Sequence, residues 1–360
     1  MAARGLADLR KEFQTRGWDR KATGWVMGEL LFNLAIALGC IYIFVAYNNP
    51  LLRICAMIVS TAASMGVATN THTSSHYATS EKRWLNELMT LFGYPIFLGL
   101  SATYWWHQHV VLHHPAPNVV GVDDDVDLAP WFARTSDEVQ RSTGFARFYY
   151  QKLQFFVFPL IIGFIGFNMQ KAGWIKLIKT LRHNPNHKKL PWIDLGAMIV
   201  HYVVWIGVPM IFFAPASVLG FYVLRIYLVG YALFAVLAPG HFPSEAVCFS
   251  KTGKDLDYLL LQTAATVNFR TGFIGRLMCS GLEYQIEHHL FPNISHHYYP
   301  QMTGLVQDFC RENGLPYRSY AWDRVLWKCL VMFRSPSPVQ QTVERLPALV
   351  AADTPAPQRL

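Results

Sequence analysis

Fourteen histidines stand in this 360-residue chain, and most of them are grouped. One group is Thr71-His72-Thr73-Ser74-Ser75-His76, and a second is His107-Gln108-His109-Val110-Val111-Leu112-His113-His114. A third is Gln285-Ile286-Glu287-His288-His289. Residues four apart share one face of a helix, so His72 and His76 can reach one site together, and His109 and His113 repeat the spacing. His114 is turned about 100° from His113 around the helix axis, which lets the pair serve two metals lying side by side. His288 and His289 repeat that geometry, with the Gln285 amide where an imidazole could stand. Neutral imidazole is a good ligand for Fe, Zn or Cu. A tetrahedral zinc takes four ligands, and these groups offer too many for one such ion, so two metals is the simplest arithmetic. Ligating imidazoles also need acceptors for their other ring N–H. Glu283, Glu287 and the run Asp123-Asp124-Asp125 are the nearby acids.

The remaining histidines read differently. His183 and His187 flank Pro185, which breaks helical spacing, and Lys188-Lys189 follow, so this is a solvated loop. His201 stands alone in an apolar run and is expected to be a hydrogen-bonded packing residue. His296 and His297 read as loop residues, and His107 is left open. Arg225, also within an apolar run, must face protein or water.

The elements that carry these groups are membrane helices. The chain is 52% hydrophobic and 15% charged, against about a quarter charged for a soluble domain. Four segments have the roughly 20 apolar residues that cross a bilayer: about 24–47, 51–69, 193–213 and 217–237. They form two hairpins joined by Asn48-Asn49-Pro50 and Ala214-Pro215-Ala216, which carry no Lys or Arg. The opposite flanks are basic, with Arg10, Lys11, Arg16, Arg20 and Lys21 before the first span, and Lys82, Arg83, Lys171, Lys176, Lys179, Arg182, Lys188 and Lys189 in the middle. By the positive-inside rule both termini and all three histidine groups are cytosolic. Leu88–Trp106 and Phe155–Met169 are apolar but short or interrupted by Gly and Pro, and are expected to be interfacial helices. The predicted architecture is thus an all-α integral membrane protein: an arm over 1–23, a membrane domain over 24–335 with a cytosolic helical cap, and a disordered tail over 336–360. The +8 net charge is explained by that topology, so nucleic-acid binding is not implied. The six cysteines include no Cys-x-x-Cys pair and imply no disulfide framework.

Three such boxes, the third continuing as Gln285-Ile-Glu-His288-His289-Leu-Phe-Pro292, resemble the membrane fatty acid desaturase superfamily, and the Gln-first third box resembles its front-end and acyl-lipid members. The likeness runs from about Gly66 to Tyr317 and includes Pro117-Asn118-Val-Val-Gly121-Val-Asp123 and Pro316-Tyr317. It implies a diiron centre on His72, His76, His109, His113, His114, His288 and His289, which uses O2 to remove two hydrogens from a long acyl chain. The carrier would be CoA, acyl-carrier protein or a glycerolipid, and the electrons would come from a ferredoxin or cytochrome b5 system. It further implies His241 as a ligand and Asn268 as the holder of a metal-bound water, with Gln285 either at the metal or behind it. Thr73 departs from the pattern, which has an acid there. The sequence carries no His-Pro-Gly-Gly motif of a fused cytochrome b5, so an external donor and a bacterial inner-membrane setting are expected. Hydroxylase, epoxygenase or acetylenase chemistry on the same scaffold, and more remotely a zinc-dependent membrane hydrolase, are the alternatives. Tyr104, Trp105, Trp106 and Phe291 either line an acyl tunnel or anchor the membrane interface.

Overall fold

The computed structural model describes residues 5–125, 127–183, 188–250 and 257–340. Long helices dominate. After a short amphipathic helix α1 (Leu6–Thr15) come α2 (Thr23–Ala46) and α3 (Pro50–Ser75), which pack as a hairpin. Asn49 caps α3 by accepting from the Leu52 N–H, with Pro50 at its first position, and the Arg53 guanidinium donates to the last carbonyls of α2, Phe44 and Tyr47. The second hairpin is α8 (Leu190–Phe212) and α9 (Pro215–His241), again started by a proline at the turn. Strand pairs are few and short. Val119–Val120 (β1), Cys248–Ser250 (β2) and Val339–Gln340 (β5) form a parallel sheet in the order β1-β2-β5, and Asn268–Arg270 (β3) pairs in parallel with Ser319–Ala321 (β4). The segment expected to open the tail therefore begins with a paired strand, while 341–360 lie outside the described residues.

At 1.5 Å per residue, α3 and α9 are each roughly 40 Å long, against about 30 Å of hydrocarbon. Each is about two turns longer than a span needs, and their C-terminal turns carry His72 and His241.

Leu88–Trp106 is not the single interfacial helix expected from its sequence. Helix α4 (Arg83–Leu91) runs on as a π-helix over Phe92–Leu98, and the chain then turns at Gly99 and climbs back as α5 (Ala102–Trp105), continued by a π-helix over Trp106–His113. Gly99 sits at φ +73°, where a side chain would be strained and would collide with His201 and Gln170. A turn at membrane depth is tolerated only if its backbone is satisfied by protein. Here the Ile96 carbonyl accepts from His201 Nδ1 (2.9 Å) and Trp205 Nε1 (3.2 Å), Phe97 from Arg225 Nη2 (2.8 Å), and Leu98 from Gln170 Nε2 (2.8 Å). His201 is thus the packing residue its isolation predicts. Arg225 is buried against protein, its guanidinium 3.7 Å from the centroid of the Trp205 ring. The Asp194 carboxylate closes the start of α5 by accepting from Ser101 Oγ and the Ala102 and Thr103 N–H groups.

Helix α6 (Ser136–Arg141) leads into α7 (Gly144–Arg182), which includes the other segment expected to be interfacial. It bends through a π-turn at Tyr149–Leu153 and a 3₁₀ turn at Ile162–Phe164, and it is also long and apolar enough to cross a membrane. Five helices, rather than four, therefore meet that length-and-composition criterion among the described residues. Helix α7 crosses α9 at Gly163 and Gly230, where an added Cβ on Gly230 would lie 2.3 Å from the Gly163 carbonyl oxygen. Small elements complete the cap: α10 (Tyr258–Ala264), α11 (Phe273–Cys279), α12 (Gln285–Leu290), α13 (Tyr299–Glu312) and α14 (Trp322–Met332). Leu9 and Phe13 of α1 bury themselves against Phe291 and α13, so Phe291 anchors the N-terminal arm.

Candidate metal centre

Four helix ends meet at one place: the last turns of α3 and α9, the continuation of α5, and α12. They bring together every histidine of the three boxes named above except His107, together with His241. Candidate ligand nitrogens of His72, His76, His109, His114 and His288 lie within 4.8 Å of one another, and those of His113, His241 and His289 form an adjoining set. All are buried. His113 and His114 fall into different sets, as do His288 and His289, which is the division that a 100° turn between neighbours produces.

The donor set fits metal ions. His72 Nε2 and His109 Nε2 are 2.8 Å apart, and His109 Nε2 and His114 Nε2 are 3.2 Å apart. Two imidazole nitrogens held at about 2.1 Å from one ion and at right angles would lie about 3.0 Å from each other. Nε2 of His76, His288 and His289 and Nδ1 of His241 are buried without a hydrogen-bond partner. Leaving such an atom unsatisfied costs about 1–3 kcal/mol, a cost that a shared cation offsets. Burial, with the neighbouring imidazoles adding to it, holds His109, His114, His288 and His289 well below the usual imidazole range, so they present neutral rings.

The far ring nitrogens are held in turn. His113 Nδ1 meets Asp123 Oδ2 at 2.8 Å, and His109 Nδ1 meets Asp125 Oδ2 at 3.3 Å. His289 Nδ1 donates to Gln262 Oε1 (2.9 Å), and His288 Nδ1 meets the Tyr299 hydroxyl (3.2 Å). Burial opposes ionisation of Asp123, but the attraction and hydrogen bond of His113, together with the Asn118 N–H, outweigh it and hold the acid below its usual range. Burial raises Asp125 instead. Asn118, at φ +57°, also donates from its amide to the carbonyls of His241, Ala246 and Ala265, which ties the second box to the end of α9. Trp105 and Trp106 donate to the Ser75 hydroxyl and carbonyl, so they lock α5 onto the last turn of α3.

Gln285 and Asn268 stand one layer out. Gln285 donates to the Leu282 carbonyl and lies beside His241. Asn268 donates to Glu287 and Tyr317 and accepts from the Ile286 N–H, so its amide fixes the start of the third-box helix. Glu287 serves that network, and Glu283 is buried with Oε2 unpartnered. Thr73 reaches a carboxylate indirectly: its hydroxyl is 2.6 Å from His296 Nδ1, and His296 Nε2 is 2.7 Å from Glu29 Oε2. His296, read as a loop residue, is therefore part of the buried site, as are Gln262, Tyr299 and Asn118. Only the Pro-Asn-x-x-Gly-x-Asp run signalled any of these in the sequence. His107 and His201 stay outside both sets, and His187 lies outside the described residues.

The sequence profile of the fatty acid desaturase family matches residues 48–321. The chain belongs to that family. Over 91% of its length it is 27% identical to the Delta(5) fatty acid desaturase fat-4 of Caenorhabditis elegans, covering 74% of that protein. It is 27% identical to the sn-1 linoleoyl-lipid 6-desaturase of Synechocystis sp., over 69% of this chain and 70% of the other. It is 29% identical to the Delta(8)-fatty-acid desaturase of Euglena gracilis, over 69% and 59% respectively. The chain is accordingly an oxidoreductase, a fatty acid desaturase, and its buried histidines suit a metal centre.

Proposed function

We propose that the eight clustered imidazoles hold two irons, and that the desaturase uses O2 and two electrons from a ferredoxin or cytochrome b5 system to place a C=C bond in a long acyl chain. The convergence of His72, His76, His109, His114 and His288 beside His113, His241 and His289 carries this reading. Bound there, iron supplies the activation of O2 that lets two hydrogens leave adjacent methylenes and end in water. The protein's own part is to keep each ring neutral and oriented, and to present the chain. A narrow apolar crevice abuts His72 between α3, α9 and the α4–α5 hairpin, lined by Met65, Ala68, Tyr94, Leu100, Leu233 and Leu237. An acyl chain lying there would part these side chains and pass beside the five-histidine set.

The same convergence favours four spans over five. Helices α3 and α9 both end at the centre, and each follows a short turn from its partner, so α2 and α8 start on the centre's face of the membrane. The second box lies on that face too. The segment between it and α8 must therefore cross an even number of times, and a single helix α7 crosses zero times. Lys171, Lys176, Lys179, Arg182, Lys188 and Lys189 lie in the second half of this segment, which supports a cytosolic face. The substrate arrives on CoA, acyl-carrier protein or a glycerolipid.

Expression in a host lacking the product, followed by mass analysis of its acyl chains, tests the reading. A product two hydrogens lighter, made by protein carrying two irons, is expected. A product heavier by one oxygen, or protein holding zinc without iron, would overturn it.

A further inference from the structure

Behind the first histidine box, and outside both ligand sets, lies a buried polar array contributed by three separate elements. Glu29 comes from α2, Thr73 from α3, and His296 from the 3₁₀ turn His296–Tyr298 that precedes α13. A carboxylate only accepts hydrogen bonds. His296 Nε2 therefore carries the proton to Glu29 (2.7 Å), while Nδ1 shares a hydrogen bond with the Thr73 hydroxyl (2.6 Å). Glu29 is itself fixed by the Asn70 amide (3.1 Å) and the Ser280 hydroxyl (3.3 Å). Gly281, at φ +89°, lets the backbone pass under His296, since an added Cβ would lie 2.4 Å from the His296 Cβ. Every hydrogen-bonding atom of the imidazole is engaged, and both bonds are long-range in sequence.

The position of this ring is informative. Thr73 lies between His72 and His76, on the last turns of α3. Three residues after His296, Tyr299 meets His288 Nδ1 with its hydroxyl. One short turn thus grips the first box through Thr73 and the third box through Tyr299, and both boxes contribute to the five-histidine set.

We propose that His296 is a positioning residue of the desaturase, setting the register between His72 and His76 on one side and His288 on the other, with Glu29 fixing the orientation of its ring. The inference rests on the reading of those histidines as iron ligands. A partner that orients ligands is worth about 10–100-fold in metal affinity. The five-histidine set should feel its loss, while the three-histidine set, which has no contact with the array, should not.

The test uses full-length protein in detergent, loaded with ⁵⁷Fe(II), with iron release to excess chelator and Mössbauer spectra as readouts, and the melting temperature of metal-free protein as a folding control. His296→Ala and the nearly isosteric Thr73→Val should each speed the release of one of the two irons by about tenfold or more. They should alter one of the two spectral components and leave the metal-free melting temperature near wild type. His296→Gln, whose amide can still accept from Thr73 and donate to Glu29, should restore wild-type release. If His296→Ala and Thr73→Val keep both release rates and both components while His72→Ala loses iron, the positioning role falls and the ligand assignment stands. If His72→Ala also keeps both irons, the ligand assignment itself falls. If His296→Ala lowers the metal-free melting temperature while Thr73→Val leaves iron release unchanged, the array is only structural and the inference is overturned.

Discussion

The two halves of the histidine centre are built from different materials. The three-histidine set has two firm polar partners: Asp123 at 2.8 Å from His113 and Gln262 at 2.9 Å from His289. The five-histidine set has longer contacts to its surroundings, Asp125 at 3.3 Å and Tyr299 at 3.2 Å. A set backed by a carboxylate and an amide is held in place from behind. The other set is held less closely and borders an apolar crevice at His72. On the proposed function, the first set would serve to keep its ion and the second to meet the substrate.

Removing a ligand should have the largest effect and should not distinguish the sets. His113→Ala and His288→Ala should each take desaturation below detection, with loss of iron measured by elemental analysis and with membrane insertion retained. Activity surviving either change would break the comparison at its root.

The acids behind the rings should separate the sets. Asp123→Asn removes a carboxylate whose pKa His113 holds down, and it should weaken iron binding by about 10–100-fold. Asp125→Asn acts on a 3.3 Å contact and an acid that burial already drives toward its neutral form, so its cost should stay under about tenfold. Competition against a chelator measures both. Equal losses would show that the two sets are supported alike.

The clustered histidines were legible because helical spacing puts chemistry in one dimension: His72 with His76, and His109 with His113, are facing pairs before any tertiary structure exists. The four long apolar runs were legible for the same reason, and His201 and Arg225 announced that they needed partners. Which partners they find was not legible, because the Ile96 and Phe97 carbonyls become available only when the chain turns at Gly99, and a Gly-Pro-interrupted apolar run reads equally well as one shallow helix. Helix α7 shows the limit from the other side. Its length and apolarity satisfy the criterion for a span, and only the meeting of the boxes argues that it stays on one face. His296, Gln262 and Tyr299 are single residues without periodic company. Their roles come from distant segments approaching one another, and the sequence around them carries no trace of that.

The smallest expected effect concerns two buried acids, Asp123 and Glu283. Asp123 has His113 to compensate its charge. Glu283 has an unpartnered Oε2, and burial, with Glu29 adding to it, outweighs the opposing pull of Arg276 and pushes it up to about 7 from an ordinary 4.5. The signs are opposite. A carboxyl whose pKa falls on folding, as for Asp123, gives stability that is present above its unfolded value and lost as pH drops through the folded one. A carboxyl whose pKa rises on folding is neutral in the native protein while the unfolded chain has already released its proton, so Glu283 costs stability progressively between pH 4.5 and about 7, by at most about 3 kcal/mol. Glu283→Gln keeps the acceptor oxygen and removes the charge. The melting temperature of the variant should match wild type near pH 5 and exceed it by a few degrees at pH 8. A difference that stays constant across that range, or that favours wild type at pH 8, would mean that Glu283 finds a compensating cation in the folded protein and that the two acids carry buried charge alike.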